Sequence, residues 1–398
     1  MHLPDPSRLI TALVTTGRRL VVVSTGGGSH AIPHLLTTPG ASGVVLEAIV
    51  PYARAAVDGL LGGSQESYCS PKTARRLAAA AWQRACRLAA ADAPEAFASQ
   101  AVGLAVTASL RTTRPKRGGH RICVAAQTLE STRTAELVLE KDARSRADEE
   151  QLAAALLFEV LIEACRLPVT DGGGSVAGLR PGERVTRDHV DAPAAWQALL
   201  AGTTSAVALT GTAAEATHPA AGGLVFPGSF DPLHEGHRLM ARIAEEIAER
   251  PLAWEISIEN VDKPLLDFIA IRDRAAQFAG QRLWLTRAAT FVEKLDVFPE
   301  STFVMGADTY VRLADPRYYG GSSDAAAKAV EAIAAKARGL IVFGRARQGA
   351  FEDAAQLAVP QALRDVSYFV SQREFRLDIS STELRRQAHD DEESACDS

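Results

Sequence analysis

The chain has 398 residues, 47% hydrophobic and 23% charged, with a formal net charge of −5. At roughly 150 residues per domain, this length suggests two or three domains. The balance excludes a wholly disordered chain, which would lack the apolar surface to offset chain entropy, and a generally basic nucleic-acid coat.

In chain order, the first predicted strand is Leu20–Val23, which stops at Ser24-Thr25-Gly26-Gly27-Gly28. A β-rich run closed by glycines reads as a buried strand entering a tight turn. A second apolar run, Gly43 to Val50, precedes Pro51-Tyr52. Residues 72–91 are Ala/Leu-rich with Arg at helical spacing and read as a helix. Gly103–Ser109 and Arg121–Ala126 read as strands flanking the basic loop Arg111–His120. Residues 149–166 form the clearest helix, with Leu152, Leu156, Leu157, Val160 and Leu161 on one side. These elements define a first α/β domain over residues 7–168.

Residues 169–221 are rich in Gly, Ala and Thr and read as a linker, with one short helix from about Pro193 to Leu200. Strands alternate with helices over residues 222–388, the pattern of a parallel sheet. The final ten residues, 389–398, are acidic and are expected to be a disordered tail. The five cysteines (Cys69, Cys86, Cys123, Cys165 and Cys396) are spread out and form no CxxC pair. A disulfide framework or cysteine-rich metal site is therefore not expected. No run reaches the roughly 18–20 apolar residues of a membrane span. The N-terminal MHLPDPSRLI has no apolar signal core, so a cytoplasmic location is the expectation.

The strongest chemistry begins at Gly223. An apolar strand, Leu224–Phe226, runs into Pro227-Gly228-Ser229-Phe230, then His234-Glu235-Gly236-His237 opens a helix. Imidazoles three residues apart lie on one helix face, and a helix N-terminus offers unpaired N–H groups that suit a phosphate. Gly236 allows close backbone approach. Near the far end, Asp378-Ile379-Ser380-Ser381-Thr382-Glu383-Leu384-Arg385 carries a capping box, Ser380 with Glu383. Its hydroxyls and Arg385 could converge on a polyphosphate.

Together these elements resemble the HxGH nucleotidyltransferases, in particular the nicotinate/nicotinamide mononucleotide adenylyltransferases. GSFDPLHEGH is similar to their first motif, ISSTELR to their last, and Phe303-Val304-Met305-Gly306-Ala307-Asp308 to the strand and GAD between them. The resemblance implies a Rossmann-like parallel-sheet nucleotidyltransferase domain, with its site at the strand C-termini. It implies transfer of an adenylyl (or cytidylyl) group from a nucleoside triphosphate to a phosphate acceptor, with pyrophosphate released. Small-molecule nucleotides are then the partners, with neither nucleic acid nor membrane involved, and a homo-oligomer is left open.

By that resemblance His234 and His237 contact the phosphates of ATP. Ser380, Ser381, Thr382 and Arg385 hold its outer phosphates, and Lys263 neutralises an incoming phosphate. Gly228, Ser229, Phe230 and Gly236 form the nucleotide loop, while Gly306 and Asp308 lie along the ribose. Mg²⁺ is expected to ride on the triphosphate, with no metal cage of protein side chains. Asp231 is expected to shape the turn. Trp254 and Trp284 are stacking candidates that are more often core residues.

The first domain resembles the C-terminal domain of the competence/damage-inducible proteins, the nicotinamide mononucleotide deamidases. The residues that carry this are Pro39-Gly40-Ala41-Ser42, Val50-Pro51-Tyr52 and the segment Ser70–Ala81. Ser24 falls at the nucleophile position of that family, but the Ser-Asn pair becomes Ala53-Arg54 and the lysine becomes Val57. A serine without a base is a poor nucleophile, so a degenerate domain is expected. Two other readings stay open: an amidohydrolase with a regulatory nucleotide-binding domain, and a non-catalytic nucleotide-sensing scaffold.

Overall fold

The computed structural model describes residues 3–92, 97–113, 118–168, 178–210, 213–216, 218–347, 350–352 and 354–372. The chain divides into two units. One takes residues up to Gln197 together with Asp262–Arg272, and the other takes Ala198–Val261 and residues from Asp273 onward.

In the first unit, strands β1 (Arg19–Thr25), β2 (Val45–Ile49), β3 (Ala101–Ser109), β4 (His120–Gln127), β5 (Ser131–Leu139) and β6 (Arg184–Asp191) form one sheet. Its order is β2-β1-β3-β4-β5-β6. β2, β1 and β3 are parallel, and β3 to β6 continue as an antiparallel meander. Helices cover both faces, so β3 is buried at almost every position and reads as an unbroken apolar run. Val102, Leu104 and Val106 join Ile122 and Val124 in one core with Leu152, Leu156, Leu157 and Leu161 of the helix Arg146–Cys165. That helix starts with a capping box, in which Ser145 Oγ accepts from Asp148 N–H at 3.1 Å and Asp148 accepts from Ser145 N–H at 3.2 Å. On the other face the helix Pro71–Asp92 crosses β3 at Gly103. A Cβ there would sit 2.0 Å from the Ala78 carbonyl oxygen, so only glycine permits this approach.

The segment expected to be linker carries three strands and a helix. β6 pairs with β5 along its length, and the helix Ala194–Ala201 lies where a helix was expected. β6 escaped the sequence pattern because it is a sheet edge, alternating between exposed and half-buried positions, with no apolar stripe. Polar contacts hold it: Arg187 pairs with Glu159 at 2.6 Å, and Arg272 grips Asp188 with two hydrogen bonds of 2.8 Å. Arg272 closes Asp262–Arg272, a segment expected within the C-terminal domain but built into the first unit. Arg75 pairs there with Asp267 at 3.1 Å, both largely buried, and Phe268 N–H donates to Thr132 Oγ1 at 2.9 Å.

The second unit has strands β7 (Ala206–Thr210), β8 (Ala213–Ala216), β9 (Leu224–Pro227), β10 (Leu252–Ser257), β11 (Leu283–Thr286), β12 (Thr302–Gly306) and β13 (Gly339–Phe343), then β14 (Arg345–Arg347), β15 (Ala350–Glu352) and β16 (Ser367–Val370). Its main sheet runs β16-β13-β12-β9-β10-β11-β7-β8, and β14 with β15 makes a separate hairpin. The six strands from β16 to β11 are parallel, and β7 and β8 add an antiparallel edge. This is the Rossmann-like α/β sheet expected for this half. The chain builds outward from β9 through β10 to β11, then returns to the other side of β9 with β12. That reversal leaves a crevice at the C-terminal ends of β9 and β12. The two strands pair only through Leu224–Val225 and Thr302–Phe303, short of the end of either.

Candidate active site

β9 ends at Pro227, and the next seven residues cross the crevice before the helix Glu235–Ala248 begins. Phe230 is the wedge of this loop. Its backbone is left-handed (φ +43°), costly for a residue with a Cβ, and its ring is buried. The ring meets Phe226, Trp254 and Phe278 with centroids 5.1–5.5 Å away, and His237 at 5.0 Å edge to face. Gly228 makes room for it, since a Cβ at Gly228 would lie 2.5 Å from Phe230 Cζ.

Sequence reasoning missed the groups that hold the loop. Gln277 accepts from Leu233 N–H at 2.7 Å and donates to the Phe230 carbonyl at 3.1 Å. Arg274 donates to the Ser229 carbonyl at 3.0 Å and pairs with Asp231 at 3.3 Å. Asp231, followed by a cis peptide to Pro232, is thus a turn residue, as expected. The carbonyl of Glu255 accepts from Gly228 N–H at 3.0 Å. The Glu255 carboxylate is fully buried and pairs with Lys294 Nζ at 2.8 and 2.9 Å; Lys294 also donates to the Ala288 carbonyl at 2.8 Å. No motif signals such groups, because each is a polar residue in an otherwise ordinary strand, helix or turn.

The two imidazoles come together at the helix start. Their rings stack with centroids 3.6 Å apart and planes 23° from parallel. Gly236 lies beneath His234, where a Cβ would be 3.0 Å from Nδ1. His237 Nδ1 accepts from the His234 backbone N–H at 3.3 Å. In a neutral ring that leaves the proton on Nε2, so His237 presents one N–H donor. Burial, reinforced by the neighbouring His234, pushes the His237 pKa down to about 3. Burial lowers His234 as well, and its Nδ1 is buried with no hydrogen-bond partner. The pair is therefore a neutral, polar contact surface at the positive end of a helix dipole.

β12, the neighbour of β9, ends in Gly306, and Asp308 lies exposed in the first turn of the helix Ala307–Arg312. A Cβ on Gly306 would meet no protein atom within 4 Å, so the space above it is open. Lys263 falls in the segment counted with the first unit. Ser380, Ser381, Thr382, Arg385 and the acidic tail lie outside the described residues. Trp254 and Trp284 are buried core residues, the first stacked on Phe226 at 5.2 Å. Among the described residues no group of three or more His, Cys, Asp or Glu side chains is placed to hold a metal ion. A groove of about 440 Å³ runs beside the helix Glu235–Ala248, lined by Arg238, Arg242, Glu245 and Arg282, but neither imidazole lines it.

Residues 225–387 match the cytidylyltransferase-like family model. This cytidylyltransferase-like domain contains the loop, both histidines, and the crevice between β9 and β12, and makes the C-terminal half a nucleotidyltransferase-type domain. Solved structures similar to the chain include a competence-damaged protein (CinA) superfamily member from Escherichia coli, 18% identical, with TM-score 0.33, covering 40% of this chain and 87% of its own. Another is the competence/damage-inducible protein CihA from Agrobacterium tumefaciens, 19% identical, with TM-score 0.34, covering 42% and 99%. A third, a competence or damage-inducible protein from Enterobacter asburiae, is 18% identical, with TM-score 0.32, covering 40% and 95%. No curated protein matches the chain.

In the first unit Ser24 is buried, and its hydroxyl donates to the Gly27 carbonyl at 3.0 Å. Val57 is a core residue, and Lys72 pairs with Glu66 at 3.3 Å. Among the described residues, no basic side chain hydrogen-bonds the Ser24 hydroxyl. The helices of the described residues include none long and apolar enough to cross a membrane.

Proposed function

We propose that the chain transfers an adenylyl group from ATP to nicotinate or nicotinamide mononucleotide and releases pyrophosphate. The observation that carries this reading is the stacked, neutral His234/His237 pair at a helix N-terminus, at the switch point of a parallel sheet. Such a site has no nucleophile of its own and needs none. An oxygen of the acceptor phosphate attacks the α-phosphorus, the bond to the β-phosphate oxygen breaks, and pyrophosphate leaves with the electron pair. Catalysis then consists of holding two anions in line and bonding the phosphoryl oxygens.

Each residue has a role in this reading. His237 donates Nε2–H to a phosphoryl oxygen, and Phe230 fixes the ring that donates it. The helix N–H groups add partial positive charge. The open space over Gly306 takes the ribose, with Asp308 accepting from its hydroxyls. Ser380, Ser381, Thr382 and Arg385 bind the outer phosphates. Magnesium would arrive bound to the nucleoside triphosphate and would neutralise part of its phosphate charge. The choice of adenylyl over cytidylyl, and of a pyridine mononucleotide as acceptor, rests on the GAD and ISSTELR segments.

The test is pyrophosphate release from ATP and CTP, each with nicotinate mononucleotide, nicotinamide mononucleotide and phosphopantetheine. Release with ATP and a pyridine mononucleotide is expected. His237→Ala should lower that turnover by about 10²-fold or more, as loss of one positioned donor does in comparable sites. Release with CTP alone, or with no acceptor in the panel, rejects the assignment.

A further inference from the structure

Gln277 lies in the single helical turn Ala276–Phe278, far in sequence from the loop it holds. Its side-chain amide reaches both arms of that loop. Oε1 accepts from the Leu233 N–H at 2.7 Å, and Nε2 donates to the Phe230 carbonyl at 3.1 Å and the Arg274 carbonyl at 3.4 Å. These partners fix which way the amide faces. Two carbonyl oxygens meet its NH₂ end and a backbone N–H meets its oxygen, so turning it over would set like against like at both ends. The Gln277 backbone carbonyl also accepts from Arg238, in the helix that carries His237, at 3.5 Å. The next residue, Phe278, packs its ring against Phe230 with centroids 5.3 Å apart.

The bond from Gln277 to Leu233 lies one residue from the bond that holds His237. The His234 N–H, in the following peptide, donates to His237 Nδ1 at 3.3 Å. Each peptide is a rigid plane, so only the two backbone dihedrals of Leu233 separate the two contacts. Pro232 supplies no N–H, which makes the Leu233 N–H the last backbone donor ahead of His234. On its other side His234 is held by the helix, because its carbonyl accepts from the His237 N–H at 2.9 Å and the Arg238 N–H at 3.2 Å. Arg274, the other tie on this loop, acts further upstream, at the Ser229 carbonyl and Asp231. An imidazole whose Nδ1 is not held is free to turn about its side-chain bonds and to carry its proton on either nitrogen.

We propose that Gln277 is a positioning residue for His237. It fixes the Leu233–His234 peptide, so that the His234 N–H holds Nδ1 and the ring keeps its proton on Nε2. The consequence for turnover rests on the adenylyl-transfer reading above; the placement of the ring does not.

The experiment uses the full chain, ¹⁵N-labelled, and reads two quantities that need no substrate. One is amide hydrogen exchange at Leu233 and His234, and the other is the ¹⁵N shifts of the His237 ring, which separate a protonated from an unprotonated nitrogen. In the parent both amides should be protected and His237 should be the Nε2–H form alone. Gln277→Met keeps the length of the side chain and removes both polar ends. It should expose the Leu233 amide, and protection at His234 should fall by up to about tenfold, as loss of an ordinary hydrogen bond allows. The two His237 nitrogen shifts should approach each other as the second tautomer is populated, while the amides of Val225 and Phe303 in the neighbouring strands stay protected. With ATP and a pyridine mononucleotide, kcat should fall by up to about 10²-fold with a smaller change in KM, the mark of lost alignment. A Gln277→Met protein that exposes Leu233 but keeps His234 protected and the His237 shifts unchanged would overturn the proposal, whatever its turnover. So would a parent protein with His237 in the Nδ1–H form, a result that depends on no variant folding. Loss of His234 protection in Gln277→Met, alongside a parent with no transferase activity, would support the placement and reject the adenylyl-transfer reading.

Discussion

Replacing Gly228 with alanine tests whether Phe230 acts as the wedge that places His237. The added Cβ would lie 2.5 Å from Phe230 Cζ and 2.8–2.9 Å from two more ring carbons. Ordinary carbon contacts are about 3.5–4.0 Å, so the ring must retreat by about 1 Å. It has little room to do so, packed against Phe226, Trp254 and Phe278. Its backbone is equally constrained, left-handed at φ +43° and tied by Gln277 through the Phe230 carbonyl. Overpacking of this kind costs about 1–3 kcal/mol. The remaining aromatic neighbour is His237, whose ring centroid is 5.0 Å away. If the imidazole moves by the same distance, turnover should fall by up to about 10²-fold, because in-line geometry tolerates little displacement. Denaturant unfolding reads the first effect, and pyrophosphate release from ATP with a pyridine mononucleotide reads the second. A Gly228→Ala, Phe230→Leu double variant, which relieves the clash, should be less destabilised than Gly228→Ala alone. A Gly228→Ala protein with unchanged stability and unchanged turnover would refute the wedge.

Breaking the buried Glu255–Lys294 pair with Lys294→Met strands a carboxylate and should cost about 3–5 kcal/mol, most of it recovered in the Glu255→Leu, Lys294→Met double variant; equal losses in single and double variants would count against it. His237 imposes a pH dependence. With a folded pKa near 3 and an unfolded value near 6.5, it contributes nothing above about pH 6.5 and weakens the fold as pH falls towards 3, by at most about 2 kcal/mol at pH 5. His237→Asn, whose Oδ1 can still accept from the His234 N–H, should therefore lose less stability than the parent between about pH 7.5 and about pH 5; parallel losses would contradict this. Ser24→Ala should cost about 1 kcal/mol through its lost bond to the Gly27 carbonyl. It should leave no ammonia release to abolish, and ammonia release from nicotinamide mononucleotide by the parent that vanishes in Ser24→Ala would reverse that conclusion.

Local order and chemical motif were legible in the sequence. The helices over 72–91 and 149–166, and the strands around Leu20–Val23, Gly103–Ser109 and Arg121–Ala126, carry their own periodicity. So does the strand–turn–helix that places His234 and His237, because a short apolar run, a glycine turn and a helix start are all encoded within a few residues. Edge strands were not legible: β6 has no apolar stripe, because solvent and ion pairs, not a core, satisfy its side chains. The assignment of residues 262–272 was hidden for a related reason, since Arg75, Thr132 and Asp188 find their partners across the chain and no local spacing records them. The stacking of the two imidazoles, the neutral state of His237 and the wedge of Phe230 on Gly228 were likewise decided by tertiary structure. Sequence specifies which groups are present and which local turns they favour. Burial and long-range contact, which set each group's solvation and neighbours and hence its protonation and reactivity, exist only once distant segments pack together.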